Sequence, residues 1–325
     1  MRFAMPQLKL SIRLILLIVI IIVLAVLPII GLPQQWLIYI RLFCIYLAIA
    51  NMWNLLCGYS GLISLCQPAF IGLAGYTMVI LAWIGIPIYV GMIAGAIVAA
   101  IFALLISVPV FRLRGIYFAI GTLVVPEALK YVFLLWKPVG GKLQGGGAGY
   151  VLKGAGEFST ADVYWLALAI GLASIFLMWF ILRSKLGLGL AAIRDNDTTA
   201  ASSGINVFRL KLLTFIIGAI VTGIAGAIFY ISQATIEPTS AFNIKWTMIG
   251  ILAAVIGGLR TQTGPIIGTI IVVFLHFALA RYAGYSLIIQ GVILVGVMLA
   301  APSGIMGVIN KTRAYRSLVQ LASRH

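Results

Sequence analysis

Few residues in this chain are able to do chemistry. Its 325 residues include six Asp and Glu, two His and three Cys. Glu127 and Lys130 stand three positions apart, which on a helix sets their charges side by side. Asp195 and Asp197 flank Asn196 inside "RSKLGLGLAAIRDNDTTAASSGIN", residues 183–206. Asn51, Asn54, Gln67, His276 and Gln290 are single polar residues within apolar stretches. None of these makes a nucleophile, base and acid constellation, and His276 stands alone. Cys44, Cys57 and Cys66 are odd in number, apolar in setting and without metal-ligand spacing, so no disulfide framework, metal or cofactor is expected. The phosphate-cradling pattern G-x-x-x-x-G-K-[ST] is missing, so ATP has no such site here. What remains is the chemistry of holding and docking, by carboxylates, amides and hydroxyls.

The elements that position these groups must lie in a membrane. Hydrophobic residues make up 63% of the chain and charged residues 9%, with a mean hydropathy of +1.18. A run of about 20 apolar residues spans a bilayer core. "LILLIVIIIVLAVLPII" has no polar alternation, so barrel strands are excluded and helices remain. The expected fold is an all-α integral membrane protein of about ten transmembrane helices. They are placed at 13–30, 36–56, 62–83, 88–108, 115–136, 162–182, 209–231, 245–259, 264–282 and 285–301. The first is read as a retained helix, since it is longer than a signal segment and has no small-residue cleavage site.

The net charge of +16 would suggest nucleic acid in a soluble protein. In a membrane protein Lys and Arg collect in cytoplasmic loops instead, so no nucleic-acid partner is expected. Arg112, Arg114, Arg183, Lys185, Arg194, Arg209, Lys211 and Arg260 all fall on one side if there are ten spans, and both termini join them there. The cytoplasmic parts are then residues 1–12, the loop 183–208 and the tail 302–325, around a transmembrane domain of 13–301. The opposite side carries the Gly-rich loop 137–161, which is expected to be mobile or ordered only by a partner. Segments 58–83 and 232–260 are both broken by Pro and polar residues at matching places in the two halves, a pattern that can flank a site. Gly91 with Gly95, and Gly218 with Thr222 and Gly226, form small-residue stripes suited to close helix packing.

The polar island at 183–206 should hold a short helix outside the membrane. Asp195, Asn196 or Asp197 can cap its start, Thr198 to Ser203 form its turns, and Gly204 suits the left-handed position past its end. Arg183-Ser184-Lys185-Leu186-Gly187, Ala192-Ile193-Arg194-Asp195, Gly204-Ile205-Asn206 and Lys211-Leu212 together resemble the cytoplasmic loop of the branched-chain amino acid ABC transporter permeases, the LivM and LivH family. "GYSGLISLCQPAFIGLAGYT" (58–77), "RLRGIYFAIGTLVVPEALK" (112–130), "IGGLRTQTGPIIGTII" (256–271) and "APSGIMGVI" (301–309) resemble further segments of that family, in order. Departures occur at Cys66-Gln67-Pro68, where the family has Gly-His, at residues 260–263, and at Pro126. They bear on the solute rather than on the class.

The resemblance implies a permease subunit of an ATP-driven importer in the inner membrane. Its partners would be a paralogous permease, two ATP-binding subunits and an extracytoplasmic solute-binding protein, with lipid around it. The solute would be a branched-chain or related amino acid; urea, another small polar solute, or an ion-coupled carrier are the alternatives. Arg194, Asp195, Asn196, Asp197, Ala200, Ala201 and Gly204 are the residues expected to couple to an ATPase, with Asp195 and Asp197 meeting it and the two alanines allowing close approach. Glu127, Gln67 and Asn54 are the candidates for the translocation path. Glu127 lies about 18 Å into its span, where a carboxylate needs a partner or water.

Overall fold

The computed structural model describes residues 19, 21–140, 145–279, 285–300 and 304–311. It is a bundle of helices around one central helix, α1 (Gln34–Asn54). Pro33 precedes α1 and pre-sets its entry. From Leu42 onward α1 is almost wholly buried, and it continues as a π-helical turn, Leu55–Tyr59. After it come α2 (Gln67–Trp83), α3 (Ile88–Val110), α4 (Ile116–Leu135) and α5 (Thr160–Arg183), of which α5 packs along α1. Two short helices follow, α6 (Lys185–Asp195) and α7 (Asp197–Ser202). The second half comprises α8 (Val207–Gln233), α9 (Pro238–Ala241), α10 (Lys245–Gly257), α11 (Gly264–Ala278), α12 (Ser286–Ala300) and α13 (Gly304–Lys311).

Among the described residues seven helical stretches are long and apolar enough to cross a membrane, and α2 and α11 are shorter apolar helices. The expected spans match these closely. The third is the exception: α2 starts at Gln67, not at residue 62, because residues 61–66 are not helical. The expected first span lies partly outside the described residues; residues 21–26 of it are helical. They are held to α5 by the Tyr164 hydroxyl on the Leu24 carbonyl and the Trp165 indole on the Ala25 carbonyl.

Lipid gives helices no hydrophobic reason to associate, so contact depends on close packing. Small residues provide it. Added side-chain carbon at Gly95 would sit 2.5 Å from the Ala74 carbonyl of α2, and at Gly226 it would meet Ile71. Gly95 of α3 and Gly226 of α8 thus both close on α2, and α3 and α8 also pack on each other, with Gly223 facing Ala74 and Ala99. The tightest crossing is α10 on α11, where a carbon on Gly268 would fall 1.8 Å from the Ala253 carbonyl.

The Gly-rich loop departs from expectation in its described part, residues 145–161. Tyr150 and Val151 form β1, paired antiparallel with β2, Thr235–Ile236. Gly149 has φ +71° and lies so near the Ile236 carbonyl that no other side chain fits. Gly149 thus permits the close backbone approach at this pairing. Trp83 adds to it: its indole donates to the Val151 carbonyl at 2.9 Å, and Lys153 lies 3.8 Å from its ring centroid.

Candidate functional site

At one end of the bundle α6 and α7 lie crosswise under the spans. The Ser184 hydroxyl caps α6 by accepting from Leu186 N–H. Gly187 and Gly189 turn toward the bundle, where added carbon would strike the Leu182 carbonyl and the Leu210 side chain. Leu190 and Ile193 are buried on that face, while Leu188 points out at 76% exposure. Asn196 then breaks the helix with an extended backbone and caps α7, its Oδ1 accepting Thr198 N–H at 2.9 Å and Thr199 N–H at 3.1 Å. Gly204, with φ +82°, ends the unit as expected. Two helices occupy the island where one was expected, because Leu186, Leu190 and Ile193 continue an apolar stripe before the cap.

The charges of the island are engaged within the chain. Arg194 donates twice to Asp195, at 3.0 and 2.7 Å, and Lys211 pairs with Asp197. The Arg194–Asp195 pair lies within α6, and the Asp197–Lys211 pair ties α7 to α8. Ala200 is buried and Ala201 exposed, so only Ala201 of that pair presents itself outward. Above the two helices a cavity of about 710 Å³ is lined by residues 60–63, 111, 113–115, 118, 193–198, 201, 207, 208 and 211. Phe111, Phe118 and Phe208 give it an aromatic wall; Arg114 and Arg194 give it charge.

The three path candidates are not brought together. Asn54 sits at the basic end and uses both amide atoms: Nδ2 donates to the Thr261 carbonyl at 3.0 Å and Oδ1 accepts Arg260 N–H at 3.2 Å. It staples the α10–α11 turn, in which Arg260 holds φ +65°. Glu127 pairs with Lys130 on the outer flank of α4, where the carboxylate side chain is 45% exposed. Gln67 is the first residue of α2 and is 1% exposed.

Gln67 closes an extended break. Residues 62, 64 and 66 face inward and residues 61 and 63 outward, with Ile63 49% exposed. Leu65 is gripped from two sides: its N–H donates to Thr122 of α4 at 3.0 Å, and its carbonyl accepts from Thr247 of α10 at 3.2 Å. The Trp53 indole donates to the Ser64 carbonyl at 3.0 Å. So the break before α2 touches the start of α10, which itself follows the irregular stretch 237–244, and the two interrupted segments of the sequence meet. Ser64, Thr122 and Thr247 were not legible as site residues, since hydroxyls abound in such helices. Pro68 did carry a signal, because proline favours the first turn of a helix.

A family model for the permease component of branched-chain amino acid transport systems matches residues 36–302. The high-affinity branched-chain amino acid transport system permease protein LivM of Escherichia coli is 26% identical over 288 residues, covering 81% of this chain and 68% of its own. A probable LivM permease of Methanocaldococcus jannaschii is 25% identical over 60% of this chain and 56% of its own. The corresponding LivH protein of Escherichia coli is 31% identical over a shorter stretch, 42% of this chain and 44% of its own. No solved structure matches the chain significantly.

Proposed function

The chain belongs to the permease-component family of branched-chain amino acid transport systems, and from that premise we propose that it forms half of the membrane path of an ATP-driven importer of branched-chain amino acids. As a membrane-embedded permease subunit it is a transport component, and its energy comes from partner ATPases. The observation that carries this reading is the capped pair α6–α7, laid across the basic end of the bundle with Leu188 and Ala201 facing outward. A rigid, exposed and partly apolar ledge fits a surface docked on another protein. It sits where Lys and Arg gather, and the positive-inside rule supports a cytoplasmic position for it. On this reading the β1–β2 closure faces the binding protein across the membrane.

Glu127 and Lys130 face outward near mid-span, where a charged pair is costly beside lipid. A second, paralogous permease covering α4 removes that cost and puts the pair at a subunit seam. Gln67 borders the route, and Asn54 holds the basic end of the bundle shut.

Reconstitution tests the reading. The permease pair, two ATPases and a binding protein in proteoliposomes should take up L-leucine only with ATP. Uptake of urea but not leucine would keep the class and change the solute. Leucine uptake by this chain without any ATPase would overturn the importer.

A further inference from the structure

The break at residues 61–66 leaves an unusual helix start. Thr247 lies ten residues before the end of α10, and Thr122 six residues beyond the start of α4. At the helical rise these put Leu65 roughly 9–15 Å from the basic end, near the middle of a bilayer core about 30 Å thick. Helix α2 therefore begins deep inside the membrane. Its N-terminus carries the positive end of the helix dipole; Pro68 has no N–H and the Ala69 N–H bonds the Cys66 carbonyl, which leaves the Gln67 N–H at its tip. No side chain caps it.

The second observation is Gln67 itself. It is 1% exposed, and neither Oε1 nor Nε2 has a hydrogen-bond partner. Side chains of a helix lean toward its N-terminus, so the first residue directs its amide over the uncapped end. A buried amide left unpaired is costly, and such groups are kept where something else completes them. The threonine grips on Leu65 hold the non-helical chain that leads into this end.

We infer that the α2 N-terminus and the Gln67 amide form the subsite for the solute's carboxylate at the turning point of transport, occluded in this conformation. This rests on the permease reading above and specifies how an amino acid is gripped. The helix end supplies positive potential and the Gln67 N–H, and Gln67 Nε2 adds a donor. The Gln67 Oε1 is left to accept from the solute's ammonium group.

The test uses the purified complete transporter, with thermal unfolding read in millimolar L-leucine or isopentylamine. The amine keeps the side chain and ammonium but lacks the carboxylate. L-leucine should raise the unfolding temperature and the amine should not. Gln67→Leu should unfold at or above the wild-type temperature, because it removes the orphan amide. It should also lose the leucine shift and most leucine uptake, about ten- to a hundredfold, as for one charge-assisted hydrogen bond. Gln67→Glu should block uptake at least as strongly, its own carboxylate occupying the helix end. Equal shifts by leucine and the amine, or wild-type leucine uptake in either variant, would overturn the subsite. Failure of the wild-type transporter to move leucine would instead sink the solute reading on which it rests.

Discussion

Asn54 shows how one side chain can govern a distant turn. Its amide meets the N–H of Arg260 and the carbonyl of Thr261, so Asn54→Leu orphans two backbone groups at once. The expected cost is about 1–3 kcal/mol, the usual penalty of a buried unpaired group. Thermal unfolding of the purified protein should show it, and an unchanged midpoint would mean that water replaces both bonds. Glu127 makes a different prediction. Glu127→Gln leaves Lys130 charged and unpaired near mid-span, so membrane abundance and leucine uptake should both fall. Adding Lys130→Met removes the lone charge and should restore abundance. If uptake returns as well, the pair only stabilises the helix; if it stays low, the carboxylate serves the route.

Among elements, the α6–α7 ledge carries the sharpest expectations. Asn196→Ala removes the cap of α7 and should cost about 0.5–2 kcal/mol of local stability. Hydrogen exchange at residues 198–203 should quicken while the spans stay protected. Leu188→Asp leaves the fold alone, since the side chain is in solvent, but should detach the ATPase on co-purification from detergent. Exchanging Asp195 and Asp197 for Lys breaks the pairs with Arg194 and Lys211 and should detach it too, by unseating the ledge. A ledge variant that retains its ATPase and coupled uptake would remove α6–α7 from the coupling role. Much of this unit could be read in advance: polar Asn196, small residues after it and Gly204 mark a capped turn wherever they occur. The internal pairing of Asp195 and Asp197 could not, because Lys211 reaches Asp197 only once α8 folds back. The break at 61–66 was hidden for a similar reason. Leu62, Ile63 and Leu65 read as helix, and the hydroxyls of Thr122 and Thr247 and the Trp53 indole hold the non-helical path there.

For the molecule as a whole, sidedness is the property to measure. Single cysteines at Val151 and Leu188, both exposed, should react with an impermeant maleimide from opposite faces of the membrane. Labelling from the same face would require an even number of spans between them and would undo the orientation. The span positions were legible because a bilayer demands long apolar runs, and loop charges then set direction. The packing order was not, since any apolar helix satisfies lipid equally. Its clues lie in single contacts, such as Gly226 on Ile71 or Gly171 on Cys44.

Helix α1 is wrapped by α5, α8, α10 and α11, all of which follow it in the chain. Its amides find their partners late: Asn51 bonds Ser174, 123 residues on, and Asn54 reaches Thr261, 207 residues on. A ribosome adding about 5–20 residues per second needs roughly 10–40 s to make that second stretch. Through that interval the future centre of the protein stands in the membrane with its polar groups uncovered. Its biogenesis therefore calls for a waiting place, a protein surface beside the insertion channel that shelters Asn51 and Asn54 until the last helices arrive.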